Sequence, residues 1–83
     1  MHNSTKRYMT NCVRKTQTQF GNDEAARFSP SWYVDCCIEG FNRAMQRGLK
    51  NMPHYQDALI IKNDIDNNRS EVETFIAGLL GMM

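Results

Sequence analysis

The first twenty residues contain no aspartate or glutamate, yet they carry Lys6, Arg7, Arg14 and Lys15. The missing acids leave that end of the chain basic. Residues 51–83 lean the other way, with Asp57, Asp64, Asp66, Glu71 and Glu73 against Lys62 and Arg69. Long apolar runs are also missing. The longest uncharged one, Phe75 to Met83, falls well short of the ~20 residues a spanning helix needs, so no membrane association is expected. The opening MHNSTKRYMTNC holds no apolar core of a secretory signal. A cytoplasmic setting with free thiols follows as the expectation. The Asn-x-Ser/Thr matches at Asn3 and Asn68 then read as chance. Glycine-rich phosphate loops, nucleophile elbows and HExxH motifs are lacking too, as are internal repeats and low-complexity tracts, so no enzyme is expected.

What is present suits one small folded unit over residues 1–83. Apolar residues make up 41% and charged residues 23%, and the net charge is +1. That balance argues against wholesale disorder and against a global field that would draw polyanions. A chain of this length buries only about 60% of the surface its unfolded form exposes, so the core must be small.

The periodicity predicts an all-α bundle of three to five helices. The first segment runs from Ser4 to Phe20, with Met9, Cys12, Val13, Thr16 and Phe20 on one face and Gly21 as its stop. A short turn of helix fits Asn22 to Phe28. The next start is marked by Ser29 as N-cap and Pro30 at the first helical position, with Gly48 closing the far end. Gly40 within it weakens the helix by about 1 kcal/mol relative to alanine. A third segment spans Pro53 to about Asp66. Its apolar run Ala58 to Ile61 reads as a buried helix, since a lone strand would lack partners. The polar hinge Asp66 to Arg69 precedes a fourth segment. There Ser70 and Glu73 have capping-box spacing, and Val72, Phe75, Ile76, Leu79, Leu80 and Met83 share one side.

Cys36 and Cys37 stand side by side, but neighbours on a helix point about 100° apart. Tyr33, Val34, Cys37, Ile38, Phe41, Ala44 and Met45 form the apolar face; Cys36 falls opposite, with Asp35, Glu39, Asn42, Arg43, Gln46 and Arg47. Cys37 is therefore expected in the core and Cys36 outside it. Structural zinc needs four convergent ligands. Cys12, Cys36, Cys37, His2 and His54 are scattered, and no metal or other cofactor is expected. A Cys36–His54 catalytic pair lacks a third orienting group. Asp64 to Ser70 begins like a calcium loop, but Arg69 stands where glycine is required and Phe75 where the bidentate glutamate belongs.

Trp32 lies on the polar side of the second long helix, followed at helical steps by Cys36, Glu39, Arg43 and Arg47. Tryptophan and arginine are the residues most enriched at binding hot spots. These five positions are the candidate partner-binding patch, unless another segment covers Trp32. The basic first helix is the second candidate: Arg7, Arg14 and Lys15, flanked by Asn11 and Thr18, form a face that could neutralise phosphates or an acidic partner. Arg43, Arg47 and Lys50 make a further basic cluster. A helix-turn-helix through Gly48 to Met52 is disfavoured by the long connection and by Asp57, Asp64 and Asp66 on the following helix. The six methionines add adaptable apolar surface.

The expected function is therefore binding to a macromolecule. The leading expectation is a protein-interaction module, an inhibitor, adaptor or assembly subunit of the kind viruses and mobile elements encode. The alternative is a small nucleic-acid-binding regulator using the basic N-terminal helix. Self-association through the apolar last helix is compatible with either.

Overall fold

Helix α1 covers Asn3–Phe20. It is started by His2, whose ring Nδ1 accepts from the Ser4 amide at 3.1 Å. It stops at Gly21, which sits at φ +89°, ψ 160° and returns its N–H to the Gln17 carbonyl. That combination of angles is essentially confined to glycine. Gly21 is also the N-cap of α2, Asn22–Arg27, so one residue ends the first helix and begins the second. The structure, a computed structural model, describes residues 1–48 and 55–81.

Helix α3 covers Pro30–Gln46. Ser29 Oγ accepts the Trp32 amide at 3.1 Å, and Pro30 occupies the first turn, where its missing N–H leaves no bond unmade. Phe28, just before the cap, packs its ring on Tyr33, with centroids 6.4 Å apart at 90°. This is the hydrophobic staple that fixes the angle at which a chain enters a helix. The helix ends at Arg47 and Gly48, the latter at φ +84°.

Helix α4 covers Tyr55–Leu79 and is bent where a break was expected. Only Asn68 departs from helical angles, at φ −133°, ψ 35°, so the polar hinge is a kink inside one long helix. The Ser70–Glu73 capping box is not made. The Glu73 carboxylate instead accepts from Arg69 Nε at 3.1 Å. A helix that continues through Ser70 has no free amide there for Glu73 to cap. The expected helix start at Pro53 and the residues His54, Lys50, Met52, Met82 and Met83 lie outside the described residues.

α4 is the element on which both α1 and α3 lie; α2 folds back on α1. The molecule measures 37 × 25 × 17 Å, and its thin dimension holds only two helical layers. The core is correspondingly small: Met9 and Val13 from α1, Tyr33, Val34 and Cys37 from α3, Ile65, Val72 and Ile76 from α4. Phe75, Leu79 and Leu80 are half-buried against it, so the apolar side of the last helix faces the chain's own interior.

Two apolar expectations are corrected. Ala58, Ile60 and Ile61 are only half-buried and Leu59 is exposed, because four consecutive residues on a helix point in four directions and cannot all face one core. Met45 is exposed near the end of α3, beyond the reach of the core. One core contributor is polar. Thr5 is fully buried, and its hydroxyl donates to Asp64 Oδ2 at 2.5 Å, joining the start of α1 to α4. Asp64 also accepts the His2 amide at 2.8 Å. These donors hold its carboxyl below the usual range, the Thr5 hydroxyl contributing most.

Candidate functional site

The described surface carries one concentrated aromatic feature, where the end of α1, α2 and the start of α3 meet. Phe28 stacks on Trp32 with ring centroids 4.2 Å apart and planes at 16°. Phe20 meets Phe28 edge-on at 6.1 Å and 66°. Tyr33 closes the cluster from below, nearly perpendicular to Trp32 at 4.9 Å, and its hydroxyl donates to the Ala25 carbonyl at 2.8 Å. Tyr33 is buried, and that burial pushes its phenol above the ordinary range. The outer rings remain open: Trp32 is 38% exposed and Phe20 51% exposed. Three linked rings thus present apolar surface to solvent on a rigid base.

Local sequence holds this base in place. The N-cap bond from Ser29 lands on the backbone of Trp32 itself, so the cap positions the ring. Gly21 turns the chain so that Phe20 and Phe28 reach each other across α2. Phe20 is a correction to the expected core face of α1. It has the right helical phase, but it is the last residue of the helix and overshoots the core. Phe28 has no place in the amphipathic pattern of either flanking helix. Its signal is its position one residue before the Ser29-Pro30 cap.

Below Trp32, the outer face of α3 carries Cys36, Glu39, Arg43 and Arg47, all exposed. The five expected partner-binding residues therefore form one stripe along the helix, with Arg43 Nη2 and Glu39 Oε1 ion-paired within it. The cysteines divide as the register requires: Cys36 exposed, Cys37 buried, Cys12 half-buried. Burial pushes the Cys37 thiol up to about 11. Burial, with Glu39 and Asp35 nearby, also raises Cys36. A raised thiol is the opposite of what an activated nucleophile needs. Among the described residues, no group of three His, Cys, Asp or Glu side chains converges as a metal site would require.

A cleft of about 570 Å³ opens between the start of α3 and the kink of α4 and includes Ser29, Ser31, Arg69 and Glu73. Its cation is already neutralised. Arg69 donates to Asp35 at 2.8 Å, to Ser31 at 3.0 Å and to Glu73 at 3.1 Å, so the cleft is a structural tie between α3 and α4.

Arg7, Arg14 and Lys15 are exposed on α1, where Arg7 and Asn11 border a groove with Asp57, Ala58 and Ile61 of α4. α1 itself holds no carboxylate to pair with them. On the other helices, Arg27 pairs with Glu24, Arg43 with Glu39, Lys62 with Asp66, and Arg69 with Asp35 and Glu73. No described helix is long and apolar enough to cross a membrane. Compared with protein-family models, with curated proteins and with solved structures, the chain has no significant match.

Proposed function

We propose that this chain is a non-enzymatic protein-binding module that seats the Phe20, Phe28 and Trp32 rings in an apolar slot of a partner protein. The observation that carries this reading is the exposure of Trp32 and Phe20 in one continuous cluster. A small domain with room in its core for few large side chains leaves three rings linked at its surface. Contiguous apolar surface of this kind marks interaction sites, whereas singly scattered residues need no explanation. The rings are also pre-ordered by stacking, by the Ser29 cap and by the Tyr33 bond. Little conformational freedom is then lost on binding, which favours affinity. The stripe from Cys36 to Arg47 supplies a polar flank with charges of both signs, suited to a partner whose slot is rimmed by complementary charges.

The test is comparative capture. Wild-type protein, Trp32→Ala, Phe20→Ala and Gln46→Ala would each be immobilised and exposed to extract from the native source, with retained proteins quantified by mass spectrometry. A protein held by wild type and by Gln46→Ala, and lost with both aromatic variants, supports the reading. Identical retention by all four, with folding intact, overturns it.

A further inference from the structure

We propose that the outward side of α1 is a second docking surface, shaped for the major groove of duplex DNA. This surface does not depend on the aromatic cluster. It rests on an asymmetry in how the chain handles positive charge. In α2, α3 and α4 the cations at Arg27, Arg43, Lys62 and Arg69 have acid partners three or four residues away. On α1, Lys6, Arg7, Arg14 and Lys15 have no such partner within the helix, which contains no acid. All four are exposed.

Their placement points to the partner's shape. Thr5, Met9 and Val13 face the core, so Arg7, Asn11, Arg14 and Thr18 line the opposite side, its Arg7–Asn11 edge bordering Asp57 and Ala58 of α4 across a shallow groove. Lys6 and Lys15 are nine residues apart and therefore about 180° apart around the axis, one on each flank of that stripe. Charge spread around half a cylinder suits a concave partner with phosphates on both walls. The major groove of B-DNA, about 12 Å wide, admits one helix and meets that description. Lys6 and Lys15 would neutralise the two walls. Arg7, Asn11 and Arg14 would face the floor, where arginine and asparagine match guanine and adenine edges.

Other polyanions fit less well. A lipid surface needs an apolar face to insert, and α1 has its apolar face buried in the core. Single strands are held by stacking on several aromatic rings, and only Tyr8 stands beside this stripe among the described residues. Duplex RNA has a major groove too deep and narrow for side chains to read.

The experiment is fluorescence anisotropy with a labelled DNA duplex of about two helical turns, titrated from about 20 to about 300 mM salt. Two neutralised phosphates, at Lys6 and Lys15, predict a slope of log K against log salt of about −1.8. Lys15→Gln should make that slope shallower by about one. Arg27→Gln removes the same charge from α2, where Glu24 already screens it, and should change the slope little. Circular dichroism would confirm that both variants fold. The proposal is overturned by absence of binding at the lowest salt, by a slope shallower than about −0.9, or by equal effects of the two variants. Equal binding to an RNA duplex of the same length, to the single strand or to phosphatidylserine vesicles would overturn it as well. Intact DNA binding by Trp32→Ala is expected, and its loss with the fold intact would overturn the independence of the two surfaces.

Discussion

The hydroxyl of Thr5 donates to the carboxylate of Asp64 at 2.5 Å, linking residues 59 positions apart in the chain. The bond anchors the first turn of α1 to the middle of α4. It also ties the fold to pH. The folded-state pKa of Asp64 is lowered, chiefly by Thr5 and then by the His2 amide. A depressed carboxylate stabilises the fold above its unfolded pKa, near 3.9, and that contribution fades as pH falls through the folded value. Urea unfolding at pH 6 and at about pH 2.5 should therefore give a larger drop for wild type than for Asp64→Asn. Thr5→Val should lower stability at pH 6 by about 1 kcal/mol, the worth of one hydrogen bond. Equal pH dependence in wild type and Asp64→Asn would show that other carboxylates govern acid sensitivity.

Thiol chemistry offers a direct check on the register of α3. Cys36 is exposed and Cys37 buried, with the Cys37 thiol pushed up to about 11. Each unit of pKa lowers the thiolate fraction at neutral pH about tenfold, and steric burial slows reaction further. Brief maleimide labelling followed by peptide mass spectrometry should mark Cys36 well before Cys37. Comparable rates at the two sites would mean that α3 opens or is rotated.

The core can be separated from its periphery by truncation. Ile76 is fully buried between the helices, and Ile76→Ala should cost about 2–5 kcal/mol in chemical denaturation. Leu59 belongs to the same helix but is exposed, and Leu59→Ala should fall within about 0.5 kcal/mol. A large loss at Leu59 would indicate that the apolar run Ala58 to Ile61 is covered in solution.

Much of the architecture was legible because its signals are local. Ser29-Pro30, Gly21 and Gly48 mark helix ends by chemistry that acts within a turn. The helical phase that separated Cys36 from Cys37 needs only a start point. The features that escaped depend on partners far along the chain or on where a helix runs out. Thr5 looks like a surface residue until Asp64 supplies its acceptor. Phe20 has core phase, but the helix ends there. Ser70 and Glu73 have the spacing of a cap, yet Arg69 takes the glutamate. The candidate site was half legible for the same reason: Trp32 and its stripe follow from register, whereas Phe20 and Phe28 join it only through the turn at Gly21.

Trp32→Ala separates binding from folding. The ring is partly exposed and stacked on Phe28, so its loss should weaken folding by about 0.5–1.5 kcal/mol from the stack, plus a modest burial term. If it anchors a partner, binding should weaken by about 2 kcal/mol or more, roughly thirtyfold. Thermal melts and titration calorimetry with the captured partner would measure both. Loss of the native circular dichroism would instead place Trp32 among the core residues.

Gly21 joins two helices at backbone angles that a side chain resists, and an added Cβ there would meet no atom within 4 Å. Any penalty for Gly21→Ala is therefore torsional, of order 1–3 kcal/mol. The chain can relieve it by re-angling α2, which swings Phe28 away from Phe20. A genetic screen for lost partner binding would then return Gly21 beside the aromatic residues, although a glycine offers a partner no side chain to touch. Its contribution is to aim its neighbours.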